Sequence, residues 1–379
     1  MYNASNAFHT AVANGAHQMA LIIFDDAVFT NDDIDVQEGI SFHDYFNTND
    51  DITIGQALSN EISFSLFNDT GLLDDYEFGD FTATIGAQIV NETVSVTGTL
   101  YMNTGSHVYV AYNTSPYLKR DGTSVSSQPG AKVISMLCYN GIIYCLLANG
   151  AVAGYLDDTG AAYTVTMNNF MKQKMQSWSG EAISFSGNML DIWKGQNHRR
   201  YEFVPLGRFT AERPNVPTVN RISMTCYDLM QRFDKDMPTD SELGITYPIT
   251  FKNLFEKLAM ATVVPYSTSG ITINANAYLH GRPEEFDNAT MRDVLQWLAE
   301  ATGNVARFNR DGVLVMDWIH QVTNVIDETG YMEFNPYWYE TKQITKLHNR
   351  ASSGEYNKTR GDGDEGYLIQ DNPLLKGVS

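Results

Sequence analysis

The sequence predicts a β-rich α+β protein with several domains. Most of the chain alternates apolar and polar residues with the period of two that is typical of strands. A central region instead carries two amphipathic helix patterns, each followed by strand patterns. The 379 residues, of which 43% are hydrophobic, are enough for several domains with a sizeable core.

The N-terminal region is predicted to form a short helix and then an antiparallel, barrel-like β domain. Residues 3–18 are rich in alanine and are typical of a helix, and strand patterns surround an Asp25-Asp26 turn. Residues 60–69 alternate with period two, so one face of this strand is apolar. The sequence around Gly79 predicts a further pair of strands.

Residues 92–198 differ in texture and are predicted to form an inserted all-β domain. They contain short strand patterns and two candidates for type I′ hairpin turns, Asn140-Gly141 and Asn149-Gly150. Long alternating strands return afterwards, so the first β domain is predicted to comprise residues 1–91 and 199–232. Insertions of this size are tolerated at loop tips, and we expect this one to fold separately.

Residues 233–318 are predicted to form a small α+β domain around a repeated helix. "TFKNLFEKLAMAT" from Thr250 and "TMRDVLQWLAEAT" from Thr290 agree in kind at nearly every position. Each begins with a threonine that can cap a helix, and Asp293 adds a near capping box to the second copy. Gly303 stands where a left-handed cap residue is favoured. Two unrelated core helices are the alternative, because Leu-Ala pairs are common in helices.

Charge and cysteine content limit the function classes. The chain has 45 acidic and 25 basic residues, a net charge of -20, which disfavours surfaces that bind nucleic-acid phosphates or anionic lipid. The start lacks the pattern of a signal peptide, and no apolar run is long enough to span a bilayer, so we expect a soluble protein made in the cytoplasm. The three cysteines predict buried free thiols rather than a disulfide framework or a zinc site. They are Cys138, Cys145 and Cys226.

The sequence contains none of the common catalytic or nucleotide-binding motifs. His43-Asp44 and Asp191 with His198 are the nearest acid–base pairs, and ordinary surface or core histidines explain both. Asp74-Asp75 is explained by a solvated turn. We therefore expect no catalytic, cofactor-binding or metal-binding residues, no cofactor and no enzymatic activity.

Three weaker patterns also have plain explanations. "NTNDDITIG" and "DGDEG" are acidic enough to attract Ca²⁺ but lack the spacing of an EF-hand loop. Arg360-Gly361-Asp362 spells an adhesion tripeptide that often arises by chance. Aromatic residues of the inserted region could line a sugar-binding surface, although strand-core side chains explain them better. These aromatic residues are Tyr101, Tyr109, Tyr112, Tyr117, Tyr139, Tyr144 and Trp178.

The ordered elements resemble the tail hub proteins of phages that infect Gram-positive bacteria. The resemblance is carried by "MYNASNAF", "ITIGQALSNEISFSLFNDTGLLDDYEF", "FVPLGRFTAE", "RISMTCYDLMQRFD", "ITYPITFKNLFEKLA" and "YLIQDNPLL", and most specifically by "RDVLQWLAEATGNVARFNRDG". It covers everything except the inserted region. Such proteins are similar to the central hub of the T-even phage baseplate and to the N-terminal module of tail-tip proteins.

The resemblance implies a homotrimeric ring at the virion tail tip, with two related β-barrels per subunit and the repeated helices positioned between them. The second barrel corresponds to residues 319–379. Implied partners are a distal tail or tail tube protein, the tape measure protein, and tip or fibre proteins. Genomic DNA would pass through the lumen without specific binding, and no membrane partner is implied.

The chain departs from this family in its long insertion and in stopping shortly after Leu375, where longer relatives continue into fibre-like or cell-wall-degrading segments. The second departure puts lytic activity in doubt. Two alternatives stay open: a tail-associated hydrolase that acts on the host cell wall or capsule, and a glycan-binding adhesin that uses the inserted region.

Overall fold

The fold is known from a computed structural model, which describes residues 4–35, 39–43, 55–74, 76–211, 215–218, 220–272, 274–317, 346–351, 354–359, 366–370 and 372–375. The chain divides into two compact units. Unit 1 contains Met1–Phe42 and Ile62–Cys226, and unit 2 contains His43–Glu61 and Tyr227–Ser379.

The chain is β-rich with a few helices and several sheets, which confirms the predicted β-rich α+β class. No sheet formed by the described residues closes into a barrel, so the two predicted barrels are not confirmed. Among the described residues, no helix has the length and apolar character needed to cross a membrane. Cys138, Cys145 and Cys226 are buried free thiols, as predicted.

Unit 1 contains a fourteen-stranded sheet, a separate four-stranded sheet and two helices. The helices are α1 (Asn6–Ala13) and α2 (Asn169–Ser177). The strands are β1 (Gln18–Phe24), β2 (Val28–Phe29), β3 (Ile40–His43), β4 (Glu61–Phe67), β5 (Asp80–Thr93), β6 (Leu100–Asn103), β7 (Val108–Ala111), β8 (Leu118–Arg120), β9 (Thr123–Ser124), β10 (Val133–Tyr139), β11 (Ile142–Leu147), β12 (Val152–Leu156), β13 (Ala162–Tyr163), β14 (Glu181–Ser186), β15 (Met189–Lys194), β16 (Asn197–Ala211), β17 (Asn215–Thr218) and β18 (Arg221–Asp228). β6 to β9 form the smaller sheet.

Two long antiparallel strands organise the large sheet. β5 and β16 pair from Asp80 opposite Thr210 to Thr93 opposite Asn197, and residues 94–196 connect their ends. β1 pairs with the other side of β5, and β15 and β18 flank β16. The inserted region therefore begins and ends at one end of this pair.

Two sequence-based boundaries in unit 1 are wrong. Gly79 does not separate two strands, because residues 76–79 are not in a strand and a single strand, β5, begins at Asp80. Pairing with β1 and β16 keeps β5 extended for 14 residues. The predicted helix over 3–18 is shorter, since α1 ends at Ala13 and Gly15 turns the chain with a φ of 67° before β1 begins.

Hairpin turns connect the strands of the inserted region. Asn140-Gly141 forms the predicted type I′ turn between β10 and β11, with φ values of 51° and 73°. The chain also turns at Asn149-Gly150, where Gly150 N donates to Leu147 O at 2.9 Å. Gly150 has a φ of 82° whereas Asn149 has none in the positive range, so this turn is not type I′.

Two apolar clusters fill unit 1. The larger cluster joins Phe29, Phe81 and Phe209 to Met171 and Met175 of α2. The second cluster consists of residues from the inserted region alone, including Tyr109, Tyr155 and Trp193. Residues 92–198 thus have a core of their own and also contribute to the core of the strands around them. The predicted division into domains stays a prediction.

Unit 2 contains three helices and eight short strands among its described residues. The helices are α3 (Asp240–Leu243), α4 (Phe251–Ala261) and α5 (Met291–Thr302). The strands are β19 (Ile249–Thr250), β20 (Tyr266–Ser267), β21 (Tyr278–Leu279), β22 (Val305–Phe308), β23 (Leu314–Asp317), β24 (Lys346–Ala351), β25 (Gly354–Thr359) and β26 (Gly366–Gln370). Short 3-10 helices cover Leu229–Phe233, Glu284–Asn288 and Pro373–Leu375.

The repeated helices α4 and α5 are confirmed, together with their caps. Thr250 accepts the N–H of Asn253 at 3.1 Å. Thr290 and Asp293 form a complete capping box, in which Asp293 N donates to Thr290 Oγ1 at 3.1 Å and Thr290 N donates back to Asp293 Oδ2 at 2.8 Å. Both helices bury their apolar stripes in one core.

The strands around these helices agree only in part with the sequence. The sequence Arg310-Asp311-Gly312 predicts a hairpin turn, and it does lie in the turn between β22 and β23, which pair antiparallel. β20 lies beside β23 in parallel. The stretch "ITINANAY" after α4 has a strand pattern, but among its described residues a strand begins only at Tyr278. Asn274 adopts a φ of 54°, and its side chain donates to Ala301 O at 2.7 Å. Most of the predicted second barrel lies outside the described residues, which there include β24 paired with β25 and β26.

Candidate functional site

The predicted acid–base pair, Asp191 and His198, is brought together where the inserted region meets β5 and β16. His198 Nε2 lies 2.6 Å from Asp191 Oδ1, and its Nδ1 lies 3.0 Å from Glu92 Oε1. The imidazole stacks on Trp193 with ring centroids 3.8 Å apart. Arg200 Nε donates to Asp191 Oδ1 at 2.7 Å, and this bond raises the pKa of the guanidinium.

This cluster is suited to holding strands together. Each ring nitrogen of His198 lies within hydrogen-bond distance of a carboxylate of the chain itself, so the ring is held in place from both sides. His198 and Asp191 are each 4% exposed, and their bonds join β5, β15 and β16. The plainer interpretation, a satisfied core histidine, fits this geometry.

A second histidine cluster lies at the small sheet. His107 Nδ1 lies 2.8 Å from Asp121 Oδ2, an arrangement that orients the base in nucleophilic catalysis. The other ring nitrogen faces Arg120 Nη2 at 2.5 Å, so a guanidinium occupies the place of a nucleophile. The N–H of Val108 is the main cause that lowers the pKa of Asp121. No sequence motif marks this cluster, because the pairing of β7 with β8 is what brings His107 close to Arg120 and Asp121.

Several candidate positions lie outside the described residues. They include Asp44, Asp75, the tripeptide Arg360-Gly361-Asp362 and nearly all of both acidic stretches. Asp74 accepts a hydrogen bond from Asn68 Nδ2 at 2.6 Å in a turn. Within the part of the chain that the structure describes, no group of three or more His, Cys, Asp or Glu residues is placed to hold a metal ion.

The aromatic residues considered for sugar binding are buried or half-buried. Tyr109 is fully buried and donates its hydroxyl to Asp157 O at 3.3 Å. Tyr101 packs edge-on against Trp193, with centroids 4.7 Å apart. Core packing, the simpler explanation of these side chains, is therefore what the described structure favours.

A buried ion pair holds α2 against the segment that follows β2, and no sequence motif marks it. Lys174 is 7% exposed, and its ammonium group bonds to Asp33, which also accepts the N–H of Thr30 at 2.7 Å. Burial lowers the pKa of Lys174, while the charge of Asp33 opposes that change. The signal in the sequence is the position of Lys174 three residues after Met171, on the apolar face of the helix.

Asp228, which ends β18 and belongs to unit 2, has a perturbed carboxyl group. It is 2% exposed and accepts hydrogen bonds from Ser59 Oγ, Asn60 N and Met230 N at 3.0, 2.9 and 3.0 Å. Burial raises its pKa to about 6, although these three bonds lower it. A perturbed carboxyl group is a candidate for function. Its bonds to the chain itself show a fastening role for Asp228.

The two repeated helices end alike. Thr262 and Thr302 each donate their hydroxyl to the carbonyl four residues back, at 3.1 and 2.8 Å. The next residue in each copy adopts the left-handed conformation, Val263 with a φ of 54° and Gly303 with a φ of 69°. The two helices therefore end with the same backbone conformation, although valine occupies the left-handed position in one copy and glycine in the other.

Residues 55–58 cover the end of α5 and the edge of β22. Ala306 donates its N–H to Gln56 O at 2.8 Å and accepts the N–H of Leu58 at 2.9 Å. This segment thus lies beside β22 as a parallel strand. The burial of Ala306 is complete.

Close contacts complete this cover. A Cβ atom on Gly55 would lie 1.9 Å from Glu300 Cγ, so the position admits only glycine. Asn372 Nδ2 donates to Trp297 O at 2.8 Å and to Glu300 Oε2 at 3.1 Å. Burial raises the pKa of Glu300.

The corresponding end of α4 is bare within the described residues. Met260, Val263 and Tyr266 are 62%, 80% and 37% exposed. β20 is the edge strand of its three-stranded sheet in the described part of the chain. In the repeat, these three residues correspond to Glu300, Gly303 and Ala306. The end of α4 and the adjoining edge of β20 are therefore apolar and exposed in the described part of unit 2.

No protein-family model matches the chain, and no curated protein sequence matches it. Among solved structures, the chain is similar to the crystal structure of the 43 kDa tail protein of prophage MuSo2 from Shewanella oneidensis. The match covers 94% of this chain and 73% of that chain, with 8% sequence identity and a TM-score of 0.37. The structural neighbour is a prophage tail protein, and a likeness this distant carries no argument about this chain.

Proposed function

We propose that the chain is a structural subunit of a phage or prophage tail and forms the hub at the tail tip. The observation that carries the proposal is the stretch 292–312, the most specific part of the resemblance to tail hubs. In the structure this stretch forms nearly all of the capped helix α5, the strand β22 and the turn that leads to β23. A second, matching helix, α4, shares its core.

The proposed assembly is a homotrimeric ring in which each subunit contributes two barrel-like β domains. The ring ends the tail tube and contacts the distal tail or tail tube protein, the tape measure protein, and tip or fibre proteins. The net charge of -20 supports a lumen that repels DNA phosphates during passage. An electron cryo-microscopy map of the tip with a neutral or basic lumen would contradict the last point.

We propose that the chain has no catalytic role. In support, the ionisable clusters at His198, Lys174 and Asp228 are bonded to groups of the chain itself. Zymography on Gram-positive cell walls tests this point. Clearing by the purified chain would favour the alternative of a tail-associated hydrolase.

The decisive experiment is the protein composition of purified tails. Quantitative mass spectrometry is expected to find three copies of the chain per tail tip, and disruption of its gene is expected to give particles without completed tails. Finding the chain in the lysate but not in particles would overturn the proposal. One or two copies per tip would overturn the trimer alone.

A further inference from the structure

We call Met260, Val263, Tyr266 and the outward backbone of β20 the β20 edge. We propose that this edge binds a second copy of the chain, which places an extended segment beside β20. The inference rests on the proposed function, because it names a contact surface for the proposed ring. Four observations on unit 2 carry it.

The internal repeat gives the mode of binding. The equivalent edge in the second helix–strand unit, β22, already has an extended segment beside it, residues 55–58, which pairs in parallel at Ala306. Tyr266 of β20 occupies the position of Ala306 in the repeat. The same backbone therefore has a strand partner at β22, whereas no described residue of the chain pairs with the outer side of β20.

The backbone of β20 is oriented to accept such a strand. Leu314 N of β23 donates to Pro265 O at 2.8 Å. The N–H and C=O groups of neighbouring residues in a strand point to opposite sides, so those of Tyr266 point away from β23. Ala306 uses the same two groups to bind residues 55–58. Addition of a strand to a free edge is a common mode of peptide recognition.

Val263 costs stability in the isolated chain. Its φ of 54° strains a β-branched side chain, whereas the second unit has Gly303 at this position. The side chain is also 80% exposed, so packing within the described part of the chain does not offset the strain. A strained and exposed apolar residue is explained by a contact that forms on assembly.

Charge favours a second copy as the occupant. Residues 260–279 contain no Asp, Glu, Lys or Arg, in a chain of which 18% is charged. This stretch holds half of the exposed large hydrophobic residues in the described part of the chain. Copies that each carry a net charge of -20 repel each other. Contact through an uncharged, apolar surface does not bring carboxylates close together, so it adds little to this repulsion.

The covered end of α5 indicates what the docked segment contains. There the segment places Gly55 against the helix end and buries the side chain of Leu58, which is 2% exposed. We expect an extended segment with a small residue near Met260 and an apolar side chain directed into the unit. Contact between two different surfaces is heterologous, and such contacts form a closed ring when the rotation between neighbouring copies closes.

Sedimentation velocity of the purified full chain over a concentration series tests the proposal. The wild type is expected to self-associate. Val263→Gly removes one interface side chain and relieves the strain, so it should weaken association about ten- to a hundredfold. The same substitution should raise the urea midpoint of the monomer, a combination that misfolding cannot produce.

A matched pair separates strand addition from side-chain packing. Tyr266→Ala keeps the outward N–H and should weaken association about tenfold. Tyr266→Pro removes that N–H and should abolish association. Ile85→Ser, at a similarly exposed position in unit 1, is the control and should leave association unchanged. If Tyr266→Pro does not fold, the Val263→Gly variant decides.

A wild-type chain that stays monomeric throughout the series overturns the proposal. Association that Val263→Gly does not weaken also overturns it, and the proposed trimer then forms through another surface. Absence of the chain from tail particles would overturn the proposed function without affecting the β20 edge. The two failures are therefore distinguishable.

Discussion

The two helix–strand units of unit 2 share a sequence pattern but not an environment. α4 and α5 both have an N-terminal threonine cap, a buried apolar stripe and a residue in the left-handed conformation after the last turn. The end of α5 is covered by residues 55–58 and Asn372, whereas the end of α4 is bare within the described residues. Local sequence thus determines how each helix begins and ends, and distant segments determine what covers it.

The largest expected effect tests whether the shared stripe is equivalent in both copies. Leu258 and Leu298 are 0% and 1% exposed, so Leu258→Ala and Leu298→Ala should each lower the free energy of unfolding by about 2–5 kcal/mol. Urea denaturation measures both. Met260→Ala, on the exposed face, is the control and should stay within about 0.5 kcal/mol. A surface-like cost at either leucine would contradict the shared core.

Exchanging the residues after the two helices should have opposite effects. Gly303→Val places a β-branched side chain at a φ of 69° and should lower the free energy of unfolding by about 1–2 kcal/mol. Val263→Gly relieves the same strain and should raise it by up to about 1 kcal/mol. Urea denaturation at a concentration where the chain is monomeric measures both. Equal signs would show that the two ends are not equivalent in backbone.

Asp228 bears on the difference between the two units because it accepts hydrogen bonds from Ser59 and Asn60, which directly follow the segment that covers α5. Its pKa is about 6 in the folded chain and 3.8 in the unfolded chain. Between these values the folded state binds more protons, so this group's contribution to stability rises as pH falls. From pH 7 to pH 5 the gain is about 1 kcal/mol.

The pH dependence of urea denaturation measures this contribution. Asp228→Asn cannot titrate, so the difference in unfolding free energy between wild type and variant should change by that amount between the two pH values. A constant difference would show that Asp228 does not have a raised pKa. Glu242→Gln, at an exposed helix cap, is the control for general effects of charge.

The smallest expected effect comes from the helix caps. Thr290→Ala breaks a reciprocal capping box and should cost about 1 kcal/mol, whereas Thr250→Ala removes one hydrogen bond and should cost about 0.5 kcal/mol. Thermal unfolding followed by circular dichroism at 222 nm orders the two variants. The reverse order would mean that tertiary contacts outweigh the caps.

Sequence patterns predicted the elements whose signals are local. The helices around Leu258 and Leu298, the hairpin before Leu314 and the type I′ turn at Asn140-Gly141 all follow from residues within a few positions of one another. The stretch "ITINANAY" has a strand pattern, but Asn274 turns the chain there and donates its side-chain amide to Ala301 O of α5. Tertiary contacts override weak strand propensity there.

The candidate clusters were predictable only in part. Asp191 and His198 are seven positions apart, and strand pairing brings them together. Lys174 and Asp33 are 141 positions apart, and no local sequence pattern predicts their contact. The β20 edge was also invisible in the sequence. The proposal that this edge binds a strand comes from the segment beside β22, residues 55–58, and not from the residues of the edge itself.

The long pair of β5 and β16 has a mechanical consequence. About 14 residues of strand extend roughly 46 Å, and both strands enter the inserted region at the same end. A pull on residues 94–196 along the strands therefore loads β5 and β16 in the same direction and does not peel one from the other. The residue pairs from Gln18–Ala87 to Phe24–Phe81, which join β1 to β5, then carry the load in shear. These hydrogen bonds must break together and not one after another, so the pairing of β1 with β5 resists such a pull more strongly than it would resist peeling.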